Sequence, residues 1–503
     1  MAQVTVQLNN TSRNEDEDIS VMIKIETFKK HLSNPIALRQ INFTYIGEEG
    51  KHLEQWKLNL SLVSLSEQYH QLEKVLGELL VANISDDKRI YIMMEMQPII
   101  QRQISQLHSE YVHEPSSLNA KQILFVDQVK SIYYLCVLIF DGVLNRQIQL
   151  NSNKVETKKP KLTFKKLISS NHSHGNLIQQ SIYFLMQNYL YLLMEEAIIF
   201  EKPSSILWQQ LNSLYVYSIQ ENIANLKVSS KYHARHADTI HEYYLQCCLY
   251  SLLNPASYRR QDILSLHKVL DEWAKKVTIE SSVKSESKIF IDLNTGQPPE
   301  YLTPYSKVNP YDENNICVFI FVDPLLEYLE KIQDTSLPGF KSSFEVRLAK
   351  LGEYTLKQQQ FKLRGETRHP TREKAYAVIG LHRIHYHLCG KQPFGQLIDK
   401  ANLPVAYHPK LRISLDMSDY EQQTPMIVLD KSTTGYRFKS TDKDVFESPS
   451  QATYTHKYSS LFKVLSLFAI SPDPSDPNST WELGMIRWID HQENGIQAGA
   501  KIV

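Results

Sequence analysis

The sequence predicts a multidomain α+β protein: an all-α helical domain, then a small α/β connector, then a C-terminal barrel or sandwich of short strands. Three observations predict it. Seven of the 16 glycines fall in residues 1–350 and nine in residues 351–503, so turn-forming residues concentrate at the back. Apolar residues before about position 278 recur at helical spacing, whereas short β-branched runs broken by Gly, Pro, Asn and Asp dominate later. The 503-residue length is enough for two to four domains at roughly 100–200 residues each.

Residues 1–55 read as an N-terminal segment, partly disordered. Its start, MAQVTVQLNNTSRNEDEDIS, lacks the basic and apolar stretches of a secretory signal. The helical domain follows at 56–278. Tyr69, Leu72, Val75, Leu76, Leu79 and Leu80 share one helix face, and Ser85-Asp86-Asp87 reads as an N-cap for a second helix reaching about Tyr111. Residues 119–149 are apolar on most faces, as in a buried central helix. Further helices are expected over Asn176–Phe200, Ser204–Leu226, His236–Leu253 and Arg260–Val277. Residues 151–175, with lysines at 154, 158, 159, 161, 165 and 166, read as a solvated loop.

The connector is placed at 279–350. SKIFIDL and ICVFIFV are its strands and Pro324–Gln333 its helix. The barrel domain is placed at 351–503. LGEYTLKQQQFKLRG alternates weakly; Ala375–Leu388 is a long β-like run; LRISLDM, MIVLD, TGYRFKS, LFKVLSLFAIS, WELGMIRWID and IQAGAKIV follow.

Composition excludes several classes of function. Fifty-five basic residues balance 55 acidic ones, which removes the whole-chain electrostatic basis for coating DNA, RNA or an anionic membrane. Five cysteines with no CxxC pair fit a reducing cytoplasm, and Cys247-Cys248 read as small core residues. The longest unbroken apolar run, Ile132–Phe140, has nine residues against the about 20 that a spanning helix needs. The chain is therefore expected to be soluble, cytoplasmic and not membrane-spanning. No Walker loop, GxSxG or HExxH occurs, so no enzyme and no cofactor are expected. His382, His385 and His387 would alternate on a strand, with 385 and 387 on one face. No carboxylate or cysteine pattern completes a metal site there.

The chemically informative residues lie late in the chain. Arg364, Arg368 and Arg372 are spaced four apart before the expected strand Ala375–Leu388. Asp430, Ser432 and Gly435 then form D-x-S-x-x-G, followed by Tyr436 and Arg437. Guanidinium forks match phosphate oxygens and the O6/N7 edge of guanine. A carboxylate accepts from the opposite guanine edge, a serine donates to phosphate, and a glycine lets backbone approach closely. The set reads equally as a solvated arm and a hairpin turn when each half is taken alone.

An RxxxR arm before a strand, with DxSxxG later in the same domain, resembles the PilZ domain family. Arg368-His-Pro-Thr-Arg372 is the better match to the arm, and Arg364-Gly-Glu-Thr-Arg368 overlaps it. GMIRWID…GIQAGAKIV is similar to the family's closing strands. The resemblance covers about residues 355–503, in a long bacterial protein with a helical N-terminal domain. It implies a six-stranded antiparallel barrel and cyclic di-GMP as ligand. The implied binding residues are Arg364, Arg368, Arg372, Asp430, Ser432 and Gly435. Signalling would pass through ligand-gated contact with an unidentified downstream protein. The interval between the motifs is long for the family, the excess falling on CGKQPFGQLIDKANLPVAYHPK. That departure leaves a second reading: a degenerate PilZ-fold interaction module of the type IV pilus or motility kind that binds no nucleotide.

Overall fold

The computed structural model describes residues 22–34, 36–113, 118–156, 167–201, 203–228, 237–281, 288–303, 306–312, 315–333, 343–359, 368–393, 420–440, 464–476, 479–492 and 495–503. Its front is helical: α1 (Ile25–Ser33), α2 (Leu53–Leu60), α3 (Leu65–Val81), α4 (Asp86–Ser109), α5 (Ala120–Glu156), α6 (Leu167–Ile198), α7 (Ser205–Gln220), α8 (Ile240–Leu252) and α9 (Arg260–Ala274). The Ser85 hydroxyl accepts from the Lys88 amide, so the N-cap of α4 forms as its sequence dictates.

The spine of this domain is the antiparallel pair α5 and α6. Their apolar residues are buried nearly all round, from Ile132 to Phe140 on α5 and from Ile182 to Met194 on α6. The stretch Ala120–Ser152 is long and apolar enough to cross a membrane, but 72% of its most apolar window is buried among the other helices. Both spine helices run further than the loop expected over 151–175: residues 151–156 continue α5 and 167–175 open α6. Lys158, Lys159, Lys161, Lys165 and Lys166 lie outside the described residues.

The N-terminal segment joins this core from residue 22 onward. The Ile23 amide donates to Ser131 Oγ at 2.9 Å, and the fully buried Phe28 ring stacks on Tyr134 with centroids 4.4 Å apart. Across the bundle, buried Glu195 accepts from the Tyr111 hydroxyl at 2.8 Å and pairs with His108 at 2.5 Å, tying α6 to α4. Cys247 and Cys248 are fully buried on α8.

Next come β1 (Thr278–Glu280), β2 (Ile289–Asp292), β3 (Glu300–Tyr301) and β4 (Cys317–Phe321), in one antiparallel sheet of order β1-β4-β2-β3. Helix α10 (Asp323–Gln333) follows as expected. Residues 351–359, expected to be extended, instead lie in α11 (Ser343–Gln359). Leu348, Ala349 and Leu356 are buried at helical spacing, and Gly352 sits between them. A Cβ there would come 2.9 Å from the Trp273 ring, so this glycine is a helix-packing position and not a turn.

The C-terminal part is a closed six-stranded antiparallel barrel of order β10-β7-β6-β5-β8-β9. Its strands are β5 (His369–Ile379), β6 (Thr424–Ser432), β7 (Gly435–Ser440), β8 (Leu467–Ser471), β9 (Glu482–Gln492) and β10 (Gly495–Ile502). Val428, Phe438, Phe468 and Ile486 fill its interior. The long run Ala375–Leu388 is not one strand. It breaks at Gly380 (φ +97°), and α12 (Leu381–Leu388) then packs Ile384 against Val378 and Ala469. His385 and His387 therefore sit on a helix, where they share no strand face, and the His387 ring packs on Trp481 at 4.5 Å. LRISLDM, and residues 394–410 of the polar stretch before it, lie outside the described residues.

The burial of Phe28 predicts that the segment before α2 is part of the helical core. Phe28→Ala should lower unfolding stability by about 3–5 kcal/mol, measured by denaturant titration of the helical signal.

Candidate functional site

The two late motifs converge on one row of paired residues across the barrel. Pro370 of β5 pairs across the sheet with Asp430 of β6, and Asp430 with Arg437 of β7. Arg437 pairs with Gly499 of β10, and Gly499 with Trp488 of β9. One row thus crosses five strands. Three register irregularities flank it: between Pro370 and Glu373, between Val428 and Asp430, and between Gly499 and Ala500. Bulges of this kind re-aim side chains beside the paired row. Without the one at 428–430, Asp430 would continue the inward alternation of Met426 and Val428 into the apolar interior.

Asp430 is the centre of the row. It is 7% exposed, and each carboxylate oxygen faces a guanidinium. Arg368 Nη1 donates to Oδ1 at 2.8 Å. Arg437 Nε lies 2.6 Å from Oδ2, an ion-pair contact and not an aligned hydrogen bond. Both arginines keep part of their side chains in solvent, 34% for Arg368 and 42% for Arg437. Arg368, Pro370, Asp430, Arg437 and Trp488 line a cleft of about 470 Å³. That is within the roughly 300–1,000 Å³ of small-molecule sites. Two cations against one anion leave it electropositive, with Pro370 and the Trp488 ring as apolar walls.

The expected residues fall into three groups. Arg368 and Asp430 come together from positions 62 apart. Ser432 and Gly435 close the hairpin, with the Ser432 hydroxyl donating to the Gly435 carbonyl at 3.4 Å and Thr433-Thr434 as the turn. A Cβ on Gly435 would stand 2.5 Å from the Ala500 carbonyl oxygen, so the close approach there is to strand β10. Arg372 is exposed and outside the cleft lining, on the bulged stretch of β5. Arg364 lies outside the described residues.

Two cleft residues escape motif reading. Arg437 follows DxSxxG in sequence, but its pairing with Asp430 depends on the β6 bulge. Trp488 is 51 residues further on. Its indole lies over Gly499, where a Cβ would come 2.1 Å from Nε1. The visible clue is the second tryptophan of WELGMIRWID, which pairs with the glycine of IQAGAKIV.

A helical bundle, a small four-stranded sheet and a closed antiparallel barrel with a cationic cleft across its strands define the structural class: a multidomain α+β protein. Residues 51–285 match the family model described as "Cyclic-di-GMP receptor FimW, N-terminal domain". The chain is also 20% identical over 343 residues to the cyclic-di-GMP receptor FimW of Pseudomonas aeruginosa, covering 59% of this chain and 54% of that protein. The chain thus spans about half the length of the curated relative it matches. No solved structure matches.

The glycine of the hairpin gives a direct test of the site's frame. Gly435→Ala should destabilise the barrel through contact with the Ala500 carbonyl, lowering the melting temperature while the far-UV helical signal at 25 °C is retained.

Proposed function

We propose that this protein is a cytoplasmic cyclic-di-GMP receptor of the PilZ kind, whose barrel binds the nucleotide and whose helical domain carries the response. One observation carries the reading: the arm and the D-x-S-x-x-G segment meet at Asp430 with a guanidinium on each carboxylate oxygen, beside an open cleft with apolar walls. That chemistry suits a ligand with phosphates and flat bases. The match of the helical part to a cyclic-di-GMP receptor family supports the same ligand from a separate stretch of chain.

In this reading Arg368, with Arg372 and Arg364 on the arm, meets phosphate and guanine. Asp430 reads a guanine edge, and Ser432 and Gly435 hold the hairpin. The protein is a receptor and not an enzyme, and its output is contact with a downstream protein.

A route for that output lies along β9. Trp488 lines the cleft, and the adjacent Arg487 donates to the Tyr354 hydroxyl of α11 at 3.2 Å. The same strand packs on the 3-10 turn Pro255–Ser257, and Tyr258 beside that turn hydrogen-bonds Thr355 of α11 at 3.0 Å. Strand, helix and turn form a joint between cleft and bundle. Ligand would bias this joint only by binding one of its arrangements more tightly than another.

Titration calorimetry of the full chain with cyclic di-GMP should give micromolar or tighter binding, with GTP and cyclic GMP much weaker. Arg368→Ala should weaken it about tenfold or more, one charged hydrogen bond being lost. No binding by folded protein overturns the reading in favour of a nucleotide-independent interaction module. If β9 is the route, Arg487→Ala should bind nucleotide as the wild type does. It should also lose the ligand-induced change in hydrogen exchange over residues 254–258 and 350–356.

A further inference from the structure

We infer that Arg437, and not Arg372, is the second cation of the nucleotide cleft, standing with Arg368 on either side of the buried Asp430 carboxylate. The inference rests on the reading of the cleft as a cyclic dinucleotide site and reassigns the residues within it.

The geometry separates the two arginines. Arg437 lines the cleft, stands directly across from Asp430 in the sheet, and places Nε 2.6 Å from the carboxylate. That contact uses Nε and leaves both terminal amino groups of the fork for an anion. Arg372 falls in the bulged stretch between Pro370 and Glu373, is exposed, and does not line the cleft. Four-residue spacing along an arm would align two arginines on a helix. On a strand with an inserted residue it does not.

Asp430 then acts through its neighbours. A carboxylate 7% exposed is costly unless paired, and pairing with two guanidiniums stabilises it. The same two contacts fix where those guanidiniums sit before ligand arrives. Arg437 is framed on the other side by Gly499, whose missing side chain leaves room for the Trp488 indole. The cleft therefore presents Arg368 beside the acid on one side and, along the row, Arg437 and the Trp488 ring on the other. A phosphate diester entering it meets two forks held at fixed positions, with a flat apolar surface at one end for a base.

The test is calorimetric titration of cyclic di-GMP into full-length wild type, Arg437→Ala, Arg437→Gln and Arg372→Ala, with thermal melts of each. Arg437→Ala should weaken binding about ten- to a hundredfold, while Arg372→Ala stays close to wild type. Arg437→Gln keeps a donor for Asp430 without the charge. It should show the same loss, and it decides the matter if the alanine variant melts below the assay temperature. Wild-type affinity in folded Arg437→Gln, or a loss in Arg372→Ala as large as in Arg437→Ala, overturns the assignment while leaving the receptor reading intact. Absence of binding by wild type overturns the receptor reading itself, and this assignment with it.

Discussion

A buried carboxylate between two guanidiniums is the constraint around which the barrel's cleft is organised. Moving an unpaired carboxylate out of water costs several kcal/mol, so Asp430 is tolerable at its depth only with both partners in place. Its partners come from strands on either side, Arg368 from the entry to β5 and Arg437 from β7. A regular sheet would turn Asp430 into the core with Met426 and Val428. The extra residues in β5 and β6 absorb that conflict, and the one beside Gly499 lets Trp488 close the row. Irregular backbone is thus confined to the places where polar groups must leave the alternation.

The helical part answers a different demand. α5 and α6 are so uniformly apolar that they are stable only as the centre of a bundle, and the shorter helices, with Phe28 ahead of them, cover that surface. The barrel meets this mass where Arg487 reaches Tyr354 and where β9 packs on the turn at Pro255–Ser257, and its interior belongs to the same buried apolar cluster as the bundle.

Much of this was legible in the sequence. Helical spacing and, for the spine, apolarity on most faces located α3 to α9, and the β-branched runs located β6, β7, β9 and β10. Two elements depart from the strands that their sequence suggests, each for its own reason. In α11 the weak alternation after Leu351 hid the buried set Leu348, Ala349 and Leu356, and Gly352 looked like a turn although it makes room for Trp273. In α12 a β-like composition continued past Gly380, where backbone conformation and not composition ends the strand. At the site, Arg368 and Asp430 were readable because spaced motifs name them. Arg437 and Trp488 were not, since their neighbours are set by bulges and strand order, which local spacing does not encode.

The cleft's resting state bears on how an anion would act there. Arg368 and Arg437 are both already engaged by Asp430, so a phosphate finds partly satisfied cations whose remaining donors point to a cluster of net single positive charge. Binding would have to redistribute hydrogen bonds within the row as well as add new ones, because each fork has a limited set of N–H groups. Redistribution on a row that spans β5, β6, β7, β10 and β9 reaches Trp488 directly and Arg487 through the next peptide unit. Under the proposed ligand reading, occupancy of such a row would be coupled to the packing of β9 on the helical part. An arginine arm moving alone in solvent has no such contact to work through. The buried acid thus keeps the cations of the cleft and the strand facing the bundle within one connected row.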